Sequence, residues 1–324
     1  MALTEWKIPR GTQPRPDDFV FDLDRTLSGV MALSSVIPGD AFTAETLGTE
    51  RAGNAVLIDT AGTVLTIGYL VTEASSIWLT LNDGRVVPGD VLAYDGESGF
   101  GLVQALARLD LPPLPLGSSA ATAVGDKVVI AGAGGRQRSV SARIVAKQEF
   151  AGYWEYLLEE AIFTSPPHPH WGGTALIGSA GELLGIGSLQ LQQDRDKDRS
   201  ENLNMIVPID LLKPILRSML ATGTSGRPVR PWLGFYATEV DGQVIIAGLA
   251  DRGPAEAAGL QVGDVILSAA GEPVEGLAQL YRSVWRLGDA GVKVPFRVGR
   301  SGRPYEVSLE SSDRNRLLKG HVLH

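Results

Sequence analysis

The residues of this chain with the most readily placed chemistry are imidazoles. His168-Pro-His170 sets two of them at i and i+2, and His321 and His324 stand near the C-terminus. A tail folded back over the pair would gather four nitrogen ligands, a set that suits zinc, nickel or copper. Ser165 precedes His168 by three residues, a spacing that allows a hydroxyl–imidazole dyad, although no acid or oxyanion donor accompanies it. The plainer reading makes His168 and His170 loop residues, and the expectation is no metal and no cofactor. Cysteine is absent, which excludes thiolate nucleophiles, thiolate metal sites and disulfides.

The elements that must position these residues are mostly strands. Short apolar runs such as Ala55-Val-Leu-Ile58, Ile77-Trp-Leu-Thr-Leu81, Val86-Val87, Lys127-Val-Val-Ile-Ala131 and Ala142-Arg-Ile-Val145 are separated by Gly, Pro, Asp and Asn. That spacing predicts an antiparallel sandwich or barrel, and Asn82-Asp-Gly84 predicts a tight hairpin. The run Gln193-Asp-Arg-Asp-Lys-Asp-Arg-Ser-Glu201 reads as a solvated loop. From Ile209 to Met219 the apolar period becomes helical, with Pro208 just before it. The organisation expected is an N-terminal arm over 1–26, a first domain over 27–222, a linker at 223–229, a second domain over 230–311 and a tail over 312–324.

Bulk composition narrows the classes. The 324 residues suffice for two cores, and 44% hydrophobic with 20% charged content is that of a globular protein. The net charge of −8 disfavours nucleic acid as a partner. The first 25 residues lack the basic start and apolar stretch of an export signal, and Pro38-Gly39-Asp40 interrupts the apolar run after Leu27, so no membrane span is expected. A cytoplasmic protein is the simplest inference; a periplasmic one whose leader had been trimmed would look the same.

Three segments carry a resemblance. Gly62-Thr-Val-Leu-Thr-Ile-Gly-Tyr-Leu-Val71, Asp95-Gly-Glu-Ser-Gly-Phe-Gly-Leu-Val103 and Pro167-His-Pro-His-Trp-Gly-Gly173 resemble, in order, the histidine, aspartate and serine stations of HtrA (DegP-like) proteases. Leu114-Pro-Leu-Gly-Ser118, Val124-Gly-Asp-Lys-Val128, Gly181-Glu-Leu-Leu-Gly-Ile186 and Val207-Pro-Ile-Asp-Leu-Leu-Lys-Pro214 extend the match. In the second domain, Gly253 to Leu267 followed by Gly271-Glu-Pro-Val274 looks like the PDZ core of bacterial HtrA proteins. The resemblance implies a mainly β protein: a trypsin-like double barrel followed by a small α+β PDZ domain. It also implies a peptide groove, with Trp232, Leu233, Gly234 and Phe235 in the carboxylate-binding loop. Leu277, Tyr281 and Val284 would lie on the opposite helix.

At the three stations stand Tyr69, Gly99 and Trp171, and Pro169 falls where the family has an oxyanion donor. A phenol titrates near pH ~10, glycine orients nothing, an indole N–H only donates, and proline has no N–H. Nor does any histidine precede the acid station, as a His–Asp–Ser chain order requires. The expectation is therefore a pseudoprotease, not an enzyme. It would act as a scaffold, adaptor or chaperone-like accessory subunit, its PDZ domain binding a protein or peptide C-terminus. By the same resemblance Phe19 and Phe21 are candidates for trimerisation, and a place in a larger enzyme complex is equally open. The alternatives are a divergent serine-type hydrolase with a non-standard site, or a metal-handling maturation factor using His168 and His170.

Overall fold

The computed structural model describes residues 6–196 and 199–320, and divides the chain into two compact units. One takes the chain up to 148, 160–226 and from 319 onward; the other takes 149–159 and 227–318.

The first unit contains two closed six-stranded barrels. Strands β1 (Val30–Val36), β2 (Glu50–Leu57), β3 (Thr63–Ile67), β4 (Ser76–Thr80), β5 (Val86–Tyr94) and β6 (Phe100–Ala105) close in the order β1-β2-β3-β6-β5-β4. Alternation sets the two faces of β4, where Ile77 and Leu79 are buried and Trp78 is exposed. The turn predicted at Asn82-Asp-Gly84 joins β4 to β5, closed by the Leu81 N–H on the Arg85 carbonyl. Strands β7 (Lys127–Ala131), β8 (Ser139–Gly152), β9 (Tyr156–Ser165), β10 (Ala175–Ile177), β11 (Leu183–Asp196) and β12 (Arg199–Pro208) close as β10-β11-β12-β9-β8-β7.

Several boundaries depart from expectation. From residue 6 the expected arm packs on the barrels: Ile8 is buried with Val128, Ile130, Val140 and Ile206 in the second barrel's core, and its N–H donates to the Gln137 carbonyl. Helix α1 (Leu23–Leu27) is capped by the Asp22 carboxylate and buries Leu23 and Leu27, so ordered structure begins well before residue 27. A short α2 (Ala44–Leu47) follows β1. Within the Gln193–Glu201 run, the described residues extend the β11–β12 ladder rather than leave it, with Gln193 opposite Glu201 and Asp194 opposite Ser200. The predicted helix splits into a 3-10 turn at Ile209–Leu211 and α3 (Lys213–Thr222), because Pro214 fits only the first turn.

The second unit is a sheet of order β13-β14-β15-β17-β18, made of β13 (Phe235–Val240), β14 (Gln243–Leu249), β15 (Val265–Ala269), β17 (Lys293–Arg300) and β18 (Arg303–Glu310), with β16 (Glu272–Pro273) beside β15. Helix α4 (Pro254–Ala257) starts at a proline, and α5 (Leu277–Trp285) buries Leu277, Leu280, Tyr281 and Val284. The stretch after 311 is also anchored. Ser312 and Trp232 exchange backbone hydrogen bonds, and the Lys319 N–H donates to Glu73.

Candidate functional site

In the first unit, β3 delivers the chain into the 3-10 turn Gly68–Leu70, which carries Tyr69. Arg51, only 5% exposed, fixes that turn by donating to the carbonyls of Tyr69 (2.7 Å) and Thr72 (3.1 Å). The Tyr69 hydroxyl donates to the Ser188 carbonyl at 2.8 Å and accepts from the indole N–H of Trp171. Burial pushes the phenol above its ordinary range, against the opposing indole bond, which leaves it fully protonated and no base at neutral pH.

The loop carrying Trp171 is tied down along its length. Asn54 Nδ2 donates to the carbonyls of His170 (3.0 Å) and Gly172 (3.1 Å), and Thr174 Oγ1 to that of Trp171 (2.8 Å). Gly99 lies in the turn before β6 at φ +81°, a backbone setting that favours glycine. Its carbonyl accepts the Gly68 N–H at 2.6 Å, so Gly99 connects to the Tyr69 turn through backbone alone. The structure thus joins Tyr69 to Trp171 and gives Gly99 a turn-forming place beside them.

Among the described residues, His168 and His170 do not form a metal-binding cluster. His168 is fully buried, with Nε2 2.9 Å from the Arg138 carbonyl and Nδ1 accepting the His170 N–H at 3.1 Å. That pairing makes Nε2 the protonated nitrogen and leaves no lone pair for a metal. Burial lowers its pKa to about 4 despite the Arg138 hydrogen bond, so the ring is neutral at pH 7. His170 is exposed and packs at 4.4 Å on Trp6. No group of three or more His, Cys, Asp or Glu suited to a metal occurs among the described residues. His321 and His324 lie outside them. The Ser165–His168 dyad is corrected too, since Ser165 Oγ donates to Glu201 at 2.6 Å and both ring nitrogens of His168 are engaged elsewhere.

In the second unit, β13 and α5 pack side by side where the peptide groove was expected. Leu233, Phe235, Leu277, Tyr281 and Val284 all belong to one buried cluster. Trp232 does not; its backbone pairs with Ser312 instead. The groove is not open, however. Residues 149–159, the tip of the β8–β9 hairpin, lie in it. Glu155 presents its carboxylate to the backbone N–H groups of Leu233 (2.9 and 3.0 Å), Gly234 (3.0 Å) and Phe235. The Tyr153 carbonyl accepts the Ala237 N–H at 3.0 Å along β13. From α5, Tyr281 Oη donates to the Gly152 carbonyl at 2.8 Å, and Arg282 pairs with both Glu149 and Glu159 at the base of the tip. Leu157 is buried within the same cluster.

Sequence reasoning missed Glu155. It stands amid an aromatic stretch that reads as a turn, and nothing in its neighbourhood signals a partner 78 residues downstream. The one signal is conformational and visible only in the fold: Glu155 has φ +62°. Although the residue keeps some exposure, its carboxyl end is enclosed, and burial raises its pKa to about 7 against the opposing backbone N–H bonds and Arg314.

Comparison with known proteins agrees with this architecture. Residues 53–186 match the trypsin-like peptidase domain family and residues 231–310 the PDZ domain family. The chain is 30% identical over 290 residues to a probable periplasmic serine endoprotease DegP-like of Pseudomonas fluorescens, covering 83% of this chain and 59% of that protein. It is 26% identical over 239 residues to the serine endoprotease DegS of Escherichia coli, covering 68% of this chain and 65% of that one. The chain therefore spans about three fifths of the length of these curated relatives. The HtrA-type protease AlgWS227A with tripeptide superposes with a TM-score of 0.56 at 23% identity, over 90% of this chain and 96% of that one, which supports the fold. These relatives correct two expectations. Being named serine endoproteases, they point toward protease activity and overturn the reading of the chain as a non-enzyme. A name that includes "periplasmic" leaves the cytoplasmic reading without support.

Proposed function

We propose, from the premise that this chain is an HtrA/DegP-family protein joining a trypsin-like peptidase domain to a PDZ domain, that it works as a peptide-binding scaffold outside the cytoplasm. The observation that carries this reading is the convergence of the Leu233, Gly234 and Phe235 N–H groups on one carboxylate between β13 and α5. Three backbone donors in that setting make a nest for an anion, and an edge strand beside it can pair with an extended chain. A peptide ending in a free carboxylate after an aliphatic residue satisfies both. The test is fluorescence anisotropy of the full chain with labelled decapeptides ending in Leu. Saturable binding of the free acid and at least tenfold weaker binding of the amide are expected; equal binding of the two would overturn the reading.

A second reading, serine-type endoproteolysis at a non-standard site, is favoured by the names of the relatives. In this chain it would need groups other than those at the three stations. Tyr69 is held protonated, Gly99 has no side chain and Trp171 offers only a donor. Turnover of fluorescein-labelled casein that is abolished by a serine-directed phosphonate would establish it. Self-association is part of the proposal as well: Phe19 and Phe21 pack together at 5.2 Å and flank Val20, which is 94% exposed. Sedimentation of the wild type against Val20→Asp tests it, with a shift to monomer expected.

A further inference from the structure

The carboxylate nest, the free edge of β13 and the facing side of α5 are three features a bound peptide would use, and one segment of this chain engages all three. Glu155 fills the nest, Tyr153 takes a β13 hydrogen bond, and Gly152 takes the α5 one. Leu157 adds an aliphatic side chain to the groove's core, and Arg282 grips both arms of the tip through Glu149 and Glu159. The tip therefore presents the two chemical groups of a C-terminal ligand, a carboxylate and an aliphatic side chain, from an internal hairpin.

We propose that residues 149–159 are a built-in ligand of the PDZ groove, and that an external peptide with a C-terminal carboxylate binds only by displacing them. This rests on the peptide-binding function proposed above and adds a competitor to it. The tip's geometry is suited to displacement. A C-terminal peptide carries carboxylate and terminal side chain on one residue, whereas the hairpin needs Glu155 and Leu157, with Glu155 at φ +62°. A non-glycine residue in that region is strained, a cost that an external peptide avoids. When the competent groove is open only a fraction of the time, apparent affinity falls by that fraction.

The experiment measures binding of the labelled decapeptide to the full chain, its Glu155→Ala variant and its Arg282→Ala variant. Glu155→Ala removes the tip's carboxylate and leaves all three backbone donors for the peptide. It should tighten binding at least tenfold, and Arg282→Ala, which frees the base of the tip without touching the nest, should tighten it by a smaller factor. Hydrogen exchange of residues 149–159 in the wild type should rise on saturation with the peptide. Equal affinities across the three proteins, with exchange unchanged on saturation, would overturn the built-in ligand while leaving peptide binding intact. Absence of binding in all three, with cooperative melting preserved, would remove the peptide-binding function itself and the inference with it. If Glu155→Ala fails to fold, the Arg282→Ala affinity and the exchange of the wild type decide the matter alone.

Discussion

The indole N–H of Trp171 donates to the hydroxyl of Tyr69, and that hydroxyl donates onward to the Ser188 carbonyl. Two residues that the sequence resemblance sets at catalytic stations are thus bonded to each other and to the barrel wall. Tyr69→Phe would strand an indole N–H and a carbonyl in a partly buried site. The expected loss is about 1–3 kcal/mol of unfolding free energy, read from urea denaturation. A variant as stable as the parent would mean that solvent already serves those groups.

Restoring residue types alone should not restore a trypsin-like site. In a Tyr69→His/Gly99→Asp/Trp171→Ser chain, the new aspartate inherits φ +81°, and Pro169 still supplies no N–H. One missing oxyanion donor typically costs about 100- to 1,000-fold in turnover. Casein hydrolysis by the triple variant should stay within tenfold of the parent, and a much larger gain would refute the assignment of Pro169.

Gly173 tolerates no side chain. It sits at φ +74°, and a Cβ there would lie 1.8 Å from the Asn54 carbonyl oxygen and 2.6 Å from Thr66 Oγ1. Gly173→Ala should cost more than about 3 kcal/mol or prevent soluble expression, because a backbone atom has to move. A melting temperature within 3 °C of wild type, about what 1 kcal/mol shifts in a chain of this size, would contradict it.

Acid should loosen the barrel unit through His168. Its pKa is lowered from 6.5 to about 4 in the fold, so between those values the unfolded chain binds the extra proton. The stabilisation is fully present above pH 6.5 and falls as pH drops toward 4, by on the order of 3 kcal/mol. Urea midpoints from pH 7 to 4 should fall more steeply for the wild type than for His168→Gln; parallel curves would remove His168 as the cause.

Glu155 has the opposite sign. Its pKa is raised from 4.5 to about 7, so the tip's hold on the groove is strongest below pH 4.5 and weakens as pH rises through 7. The charged groups around it are Arg314 and, across Tyr281, Glu239, with Arg282, Glu149 and Glu159 at the tip's base. Peptide affinity should therefore improve about tenfold between pH 6 and 8. Glu155→Gln should flatten that slope, and a slope retained in this variant would assign it to another group.

Much of this architecture was legible because burial writes a period into the chain. Ile77 and Leu79 alternate with exposed Trp78, and Leu277, Leu280, Tyr281 and Val284 mark one helical face. Both barrels and α5 follow from such patterns and from the motifs around them. Other features depend on contacts distant in sequence and leave no period. Ile8 reaches the barrel core from a proline-rich stretch that looks unstructured. His168 resembles a metal ligand by spacing, and only the Arg138 carbonyl and the His170 N–H reveal both nitrogens as engaged. The occupant of the groove was hidden for the same reason, since the nest is visible at 232–235 but its guest comes from the other half of the chain.

That guest also changes what the word domain means for this molecule. The second unit is assembled from two stretches of chain, 149–159 and 227–318, so the polypeptide passes between units at four points. A single cut near Thr222 does not yield two intact modules. It leaves the first fragment displaying Leu157 without its core, and the second with an empty carboxylate nest. A PDZ domain without Tyr281 and Arg282 would lack two of this hairpin's partners. In this chain the recognition module is inherited together with a strand pair of its neighbour, and the two must change together.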